Sequence, residues 1–145
     1  MLNVALFWEE AFPAIHTHRV TLAGIRRALE GFQVRPVGAA ELHTVMGAHL
    51  LVMPFGSAFP KPAWPSILHY LQAGGNLLNL GGVPFAVPCV RGHAVWRDQV
   101  LQSAYHRSLG VERVFLVKGD AICAVQAPAE TPLLADLGQA VAGKD

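Results

Sequence analysis

The chain is poor in charge. Asp, Glu, Lys and Arg make up 14% of its 145 residues, well below the roughly 25% of ordinary soluble domains. With hydrophobic residues at 52%, some apolar surface is expected to be covered by a second copy of the chain or by a neighbouring domain. The formal net charge is only +1, and the densest basic cluster is Arg26 with Arg27. No electrostatic footprint for nucleic acid or for an anionic membrane surface results. Cysteine is also scarce. Cys89 and Cys123 lie far apart with neither CxxC nor Cys/His metal spacing, which argues against a disulfide framework and a structural zinc site. Two free thiols suit a reducing compartment. No apolar run approaches the ~20 residues that cross a bilayer, and Glu9 and Glu10 cut the first one short, so it does not read as a signal peptide. A dinucleotide fingerprint is missing as well, since Gly81 and Gly82 lack the G-x-G-x-x-G spacing; no cofactor is expected.

What the sequence does have is short apolar runs separated by helical patterns. Residues 2–8 form an apolar run without alternation, as expected of a parallel strand buried on both faces. Apolar residues then recur at Val20, Ala23, Ala28, Leu29 and Phe32, with Arg26, Arg27 and Glu30 opposite, which is helical spacing. Gly31 stands where such a helix would stop. Residues 33–37 read as a second strand, residues 39–46 as a brief helix, and residues 49–55 as a third strand. The Pro-rich residues 54–65 read as a loop, and Trp64-Pro65 opens a helix on Ile67, Leu68 and Leu71. Residues 76–80 read as a fourth strand. Strands that alternate with helices imply βαβ units and a parallel sheet, with residues 2–8, 49–55 and 76–80 in its interior. Residues 87–103 read mostly as loop. Residues 111–118 and 121–126 are expected to form an antiparallel hairpin at one sheet edge, and residues 131–141 a last helix. The whole chain reads as one α/β domain, complete or part of a longer chain.

Two segments carry a resemblance: Leu50-Leu51-Val52-Met53-Pro54-Phe55-Gly56-Ser57-Ala58-Phe59-Pro60, and Tyr70-Leu71-Gln72-Ala73-Gly74-Gly75-Asn76-Leu77-Leu78-Asn79-Leu80-Gly81-Gly82-Val83-Pro84-Phe85. Their order, an apolar strand ending in Pro and a small residue, a helix, then a Gly-Gly turn into a further strand, resembles the class I glutamine amidotransferase-like superfamily. Within it the likeness is to the amidotransferase-like domains attached to bacterial glycoside hydrolases. The resemblance implies a flavodoxin-like, doubly wound α/β fold with helices on both faces of a mostly parallel sheet. It covers residues 2–85. Active members hold a cysteine between two glycines in a strained strand-to-helix elbow, where its pKa is lowered. Here that position falls on Gly82, and the His-x-Glu pair of the family is absent, since Arg107 and Ser108 follow His106. The resemblance therefore implies an inherited fold without the hydrolase chemistry. The module would be an accessory or oligomerisation domain of a carbohydrate-processing protein.

Candidate sites remain to be weighed. Cys89 and His93 are four residues apart, so a relocated thiol nucleophile with its base is one reading, and a plain packed thiol is the other. His16 and His18, with Glu9 and Glu10 at the other end of the loop after the first strand, could meet a ligand or metal beyond the strand ends. Alternatively they are polar loop residues, with Thr17 or His18 capping the next helix. Ser57 could bind a ligand or cap its own loop. Glu9, His16, His18, Ser57, Gly81 and Gly82 are thus the candidate binding set for a small molecule or carbohydrate, with no metal assigned. Trp8, Phe12, Phe55, Phe59, Trp64 and Phe85 line a cleft or a surface that docks on a partner, with the stiff residues 54–65 as the contact, or else they are plain packing, which is the commoner role of aromatic residues in such places.

Overall fold

The computed structural model describes residues 1–111. The chain divides into two units between Val114 and Phe115, and every described residue belongs to the first.

Four strands form the parallel sheet: β1 (Asn3–Phe7), β2 (Gln33–Val37), β3 (Leu50–Met53) and β5 (Asn76–Asn79), in the order β2-β1-β3-β5. In β1 the side chains divide by parity. Val4 and Leu6 pack with Ile25 and Val52 on one face, while Ala5 and Phe7 pack with Leu51 and Met53 on the other. Both faces are therefore covered, which is why the run shows no alternation.

Helix α1 (Leu22–Ala28) supplies Ile25 to the first face. Its N-cap is Thr21, whose hydroxyl accepts from the Gly24 amide at 3.0 Å. The cap was expected at Thr17 or His18; the chain instead bends at His16 and Thr17 and runs on without helix to Thr21. On the second face lie a 3-10 segment (Ala39–Gly47), through Leu42 and Val45, and helix α2 (Trp64–Gln72), through Ile67 and Tyr70. Pro at the first turn suits α2, because the missing amide would have had no intrahelical partner. The Tyr70 hydroxyl lies 3.2 Å from the Ala48 carbonyl and 3.1 Å from that of Asn76, so it ties the helix to the start of β5. The fold is α/β, with a mostly parallel sheet and helical elements on both faces.

Three parts of the sequence reading need correction. Residues 76–80 are not interior: β5 is the outermost strand of this sheet among the described residues, with Leu78 41% exposed. Residues 54–65 are not a free loop, since they contain β4 (Ala58–Pro60) and a 3-10 turn (Lys61–Ala63). Residues 87–103 are not mostly loop either. They hold β6 (Val87–Gly92) and β7 (Val95–Asp98), which form a second, three-stranded sheet in the order β4-β6-β7. β4 and β6 pair in parallel, and β6 and β7 are an antiparallel hairpin. The hairpin predicted over 111–126 and the helix over 131–141 lie outside the described residues.

Candidate functional site

In open α/β sheets ligands gather beyond the carboxyl ends of the strands, where the strand order reverses. Here that point lies between β1 and β3, and the loops after both strands meet there. Ile15 and Gly56 form a parallel bridge. The Ile15 amide donates to the Phe55 carbonyl (3.2 Å), and the Ser57 amide to the Ile15 carbonyl (2.9 Å). The crevice is thus laced shut by backbone. Gly56, at φ +67°, is needed for this approach, because a Cβ there would collide with the Ile15 oxygen.

Ser57 is fully buried at the centre of this knot. Its Oγ lies 2.9 Å from His16 Nδ1 and accepts from the Val83 amide at 2.9 Å. Asn79 completes the knot: its Nδ2 donates to the carbonyls of Gly56 (3.0 Å) and Gly81 (2.7 Å). Four of the candidate residues are therefore brought together, His16, Ser57, Gly81 and Gly82. Gly81 and Gly82 have φ of +77° and +58°, and a Cβ on Gly82 would run into the Ser57 hydroxyl and lie 2.7 Å from the Ser57 amide nitrogen. His16 itself has φ +56°, a left-handed conformation rare outside glycine, asparagine and aspartate.

Chemically, the His16–Ser57 contact is a nucleophile–base distance, but Ser57 offers no surface to a substrate and its oxygen already accepts from an amide. This arrangement locks two loops together.

The remaining candidates are dispersed. His18 is exposed beside the pair, and among the described residues no three His, Cys, Asp or Glu groups stand close enough to hold a metal ion. Glu9 turns away to the 3-10 segment, where its Oε1 accepts from the Ala39 amide at 2.9 Å. Cys89 is buried in the core on β6. Burial first, and then the charge of Asp98 opposite it, push its thiol up to about 12. His93 stands exposed in the hairpin turn, four residues further along an extended chain, roughly 13 Å away at 3.3 Å per residue. The two do not form a pair, and a thiol so buried is the opposite of an activated thiolate.

Most of the aromatic set is packing. Phe12, Phe55, Phe59 and Phe85 are at most 2% exposed. Phe7, Phe12 and Phe55 pack in T-shaped and tilted pairs, with Trp8 against Phe55, and Phe59, Trp64, Phe85 and Tyr105 form a second cluster, with centroids 4.9 to 5.6 Å apart. These rings are the core that joins the two sheets; Phe59 is fully buried, whereas Trp64 is only partly buried and Lys61 and Pro62 are exposed. The sequence reading missed Asn79 and the Val83 amide; an Asn just before two glycines is the signal that a turn was being tied by a side chain.

No known protein family matches the chain, and no curated protein or solved structure is significantly similar to it. Among the described residues no helix is long and apolar enough to cross a membrane.

Proposed function

We propose that the chain is a non-catalytic module of the class I glutamine amidotransferase-like kind, with a flavodoxin-like doubly wound fold. It serves as an accessory or oligomerisation domain of a carbohydrate-processing protein. One observation carries the catalytic half of this reading. The turn after β5 has the left-handed backbone that a nucleophile elbow uses, yet it holds Gly82 at φ +58°, and the space a side chain would need is taken by Ser57. Amide hydrolysis in such a site requires a thiolate and a proton-shuttling base, and a glycine supplies neither. The low charge supports the partner half, as do apolar side chains left exposed among the described residues, Val100 at 81% and Leu101 at 62%.

Two measurements test it. Ammonia release from glutamine by the purified chain is expected to equal the protein-free blank; turnover above the blank refutes the non-catalytic reading. Sedimentation over a concentration series is expected to show self-association, and a monomer throughout refutes the oligomerisation role.

A further inference from the structure

A cleft of about 350 Å³ opens at the carboxyl ends of β1 and β2, away from the Ser57 knot. Glu9, His43 and Ser66 stand on its walls, with Arg91 and Trp96 from the β6–β7 hairpin. Its size falls within the ordinary range of small-molecule sites, about 300 to 1,000 Å³.

The charges in this cleft are complementary but not spent on each other. Glu9 uses Oε1 to hold the Ala39 amide, and among the described residues no hydrogen bond or ion pair joins it to the Arg91 side chain or engages the Arg91 guanidinium elsewhere. His43 Nδ1 lies 2.8 Å from the Ala40 carbonyl, which can only accept, so the ring donates there and Nε2 is left for the cleft. Trp96 is 9% exposed and its indole N–H has no partner among the described residues. Such a set discriminates by charge. A simple anion would gain at Arg91 and lose at Glu9, a simple cation the reverse, and a neutral polyol could hydrogen-bond to both but would gain charge–charge attraction at neither. Only a molecule with one charge of each sign gains charge–charge attraction at both ends.

We propose that this cleft binds a small zwitterion, its ammonium end on Glu9 and its carboxylate end on Arg91, with Trp96 and Pro62 packing its carbon skeleton. The bidentate guanidinium–carboxylate pairing fixes orientation. The proposal goes beyond the reading of the Gly82 turn and does not depend on it, because no residue is shared.

Calorimetric titration of the full chain with glycine, β-alanine and γ-aminobutyrate varies the distance between the two charges while keeping both. Acetate, methylammonium and glucose are the single-charge and neutral controls. Saturable binding is expected for at least one zwitterion and for none of the controls. Glu9→Gln keeps an oxygen for the Ala39 amide, and Arg91 is exposed, so both Glu9→Gln and Arg91→Gln should remain folded. Each is expected to weaken binding about tenfold or more, the usual scale for losing a charged hydrogen bond. No saturable binding by any zwitterion overturns the proposal, as does binding of glucose or acetate equal to the best zwitterion, or binding unchanged in both variants. These outcomes are independent of ammonia release, so this proposal and the non-catalytic reading fail separately.

Discussion

Ser57 Oγ occupies the space into which a Cβ on Gly82 would project. Two residues far apart in sequence thus share one site, and what stands at each decides what the other can be. A side chain at position 82 would have to displace a hydroxyl that is holding the Val83 amide and meeting His16.

Gly82→Ala is therefore expected to cost at least about 2 kcal/mol, combining left-handed strain with steric displacement of a packed group. Gly31→Ala is the control. Gly31 also has a positive φ, +95°, but nothing among the described residues lies within 4 Å of its Cβ position, so it should cost only the conformational part, about 1 kcal/mol. Chemical denaturation of both variants reads the difference. Equal losses would mean that Ser57 is not in the way.

Ser57→Ala leaves the Val83 amide without its acceptor, and loss of a partner to a buried donor costs about 1 to 3 kcal/mol. The two substitutions should not add. In a Gly82→Ala background the hydroxyl is already displaced, so removing it is expected to cost clearly less than in the native chain. A double-mutant cycle measures this coupling, and strict additivity would show that the two residues do not share the site.

Cys89 predicts a pH dependence whose sign follows from burial. The folded thiol holds its proton more tightly than the unfolded one, being pushed from its ordinary 9.0 up to about 12. Its contribution to stability is therefore complete below that ordinary value of 9.0 and is lost as pH rises from there toward the folded value. Alkylation of Cys89, followed by mass spectrometry of its peptide, should be slow at neutral pH and remain slow past pH 9. Rapid labelling near neutrality would contradict the burial. Cys89→Ala should flatten the alkaline decline in stability while lowering stability itself, since a packed side chain is removed from the core.

The parallel sheet was legible because burial on both faces leaves its mark on composition: residues 2–8 and 49–55 are apolar without alternation, and the structure places β1 and β3 there with parity sending successive residues to opposite cores. The Pro-opened helix was legible for an equally local reason, and α2 begins at Trp64. The second sheet was not. β4 and β6 are rich in proline, with Pro60 and Pro88 inside them, and proline argues against a strand by its missing donor. They are held by a pairing between Ala58–Pro60 and residues some thirty positions later, which no local pattern shows. The candidate site was half legible. Gly-Gly after a strand announces a turn, but that Ser57 fills the turn is a fact of tertiary packing, and the cleft at Arg91 depends on a hairpin whose local sequence carries no strand signal.

That hairpin was hidden by its turn, and the turn yields the last prediction. His93 and Ala94 join β6 to β7 with φ of +49° and +64°. Positive φ at both central residues is the type I′ pattern, whose twist matches that of the strands it joins, and its favoured sequence is Asn-Gly. A histidine and an alanine give no such signal. Both also carry a Cβ in a conformation that costs about 1 to 2 kcal/mol for an ordinary L-residue. The strands hold the turn because the register from Cys89↔Asp98 to Gly92↔Val95 leaves two residues to close it. Replacing Ala94 by Gly should relieve its strain, and His93→Asn adds a residue that tolerates the left-handed region. The gain is offset in part by the extra freedom glycine brings to the unfolded chain. The net expectation for the double substitution is a stabilisation of about 0.5 to 1.5 kcal/mol, with no change in the Cys89 alkylation rate at neutral pH. Denaturant unfolding with an unchanged slope would register it as a higher midpoint. A lower midpoint would mean that His93 or Ala94 makes a contact worth more than its backbone strain.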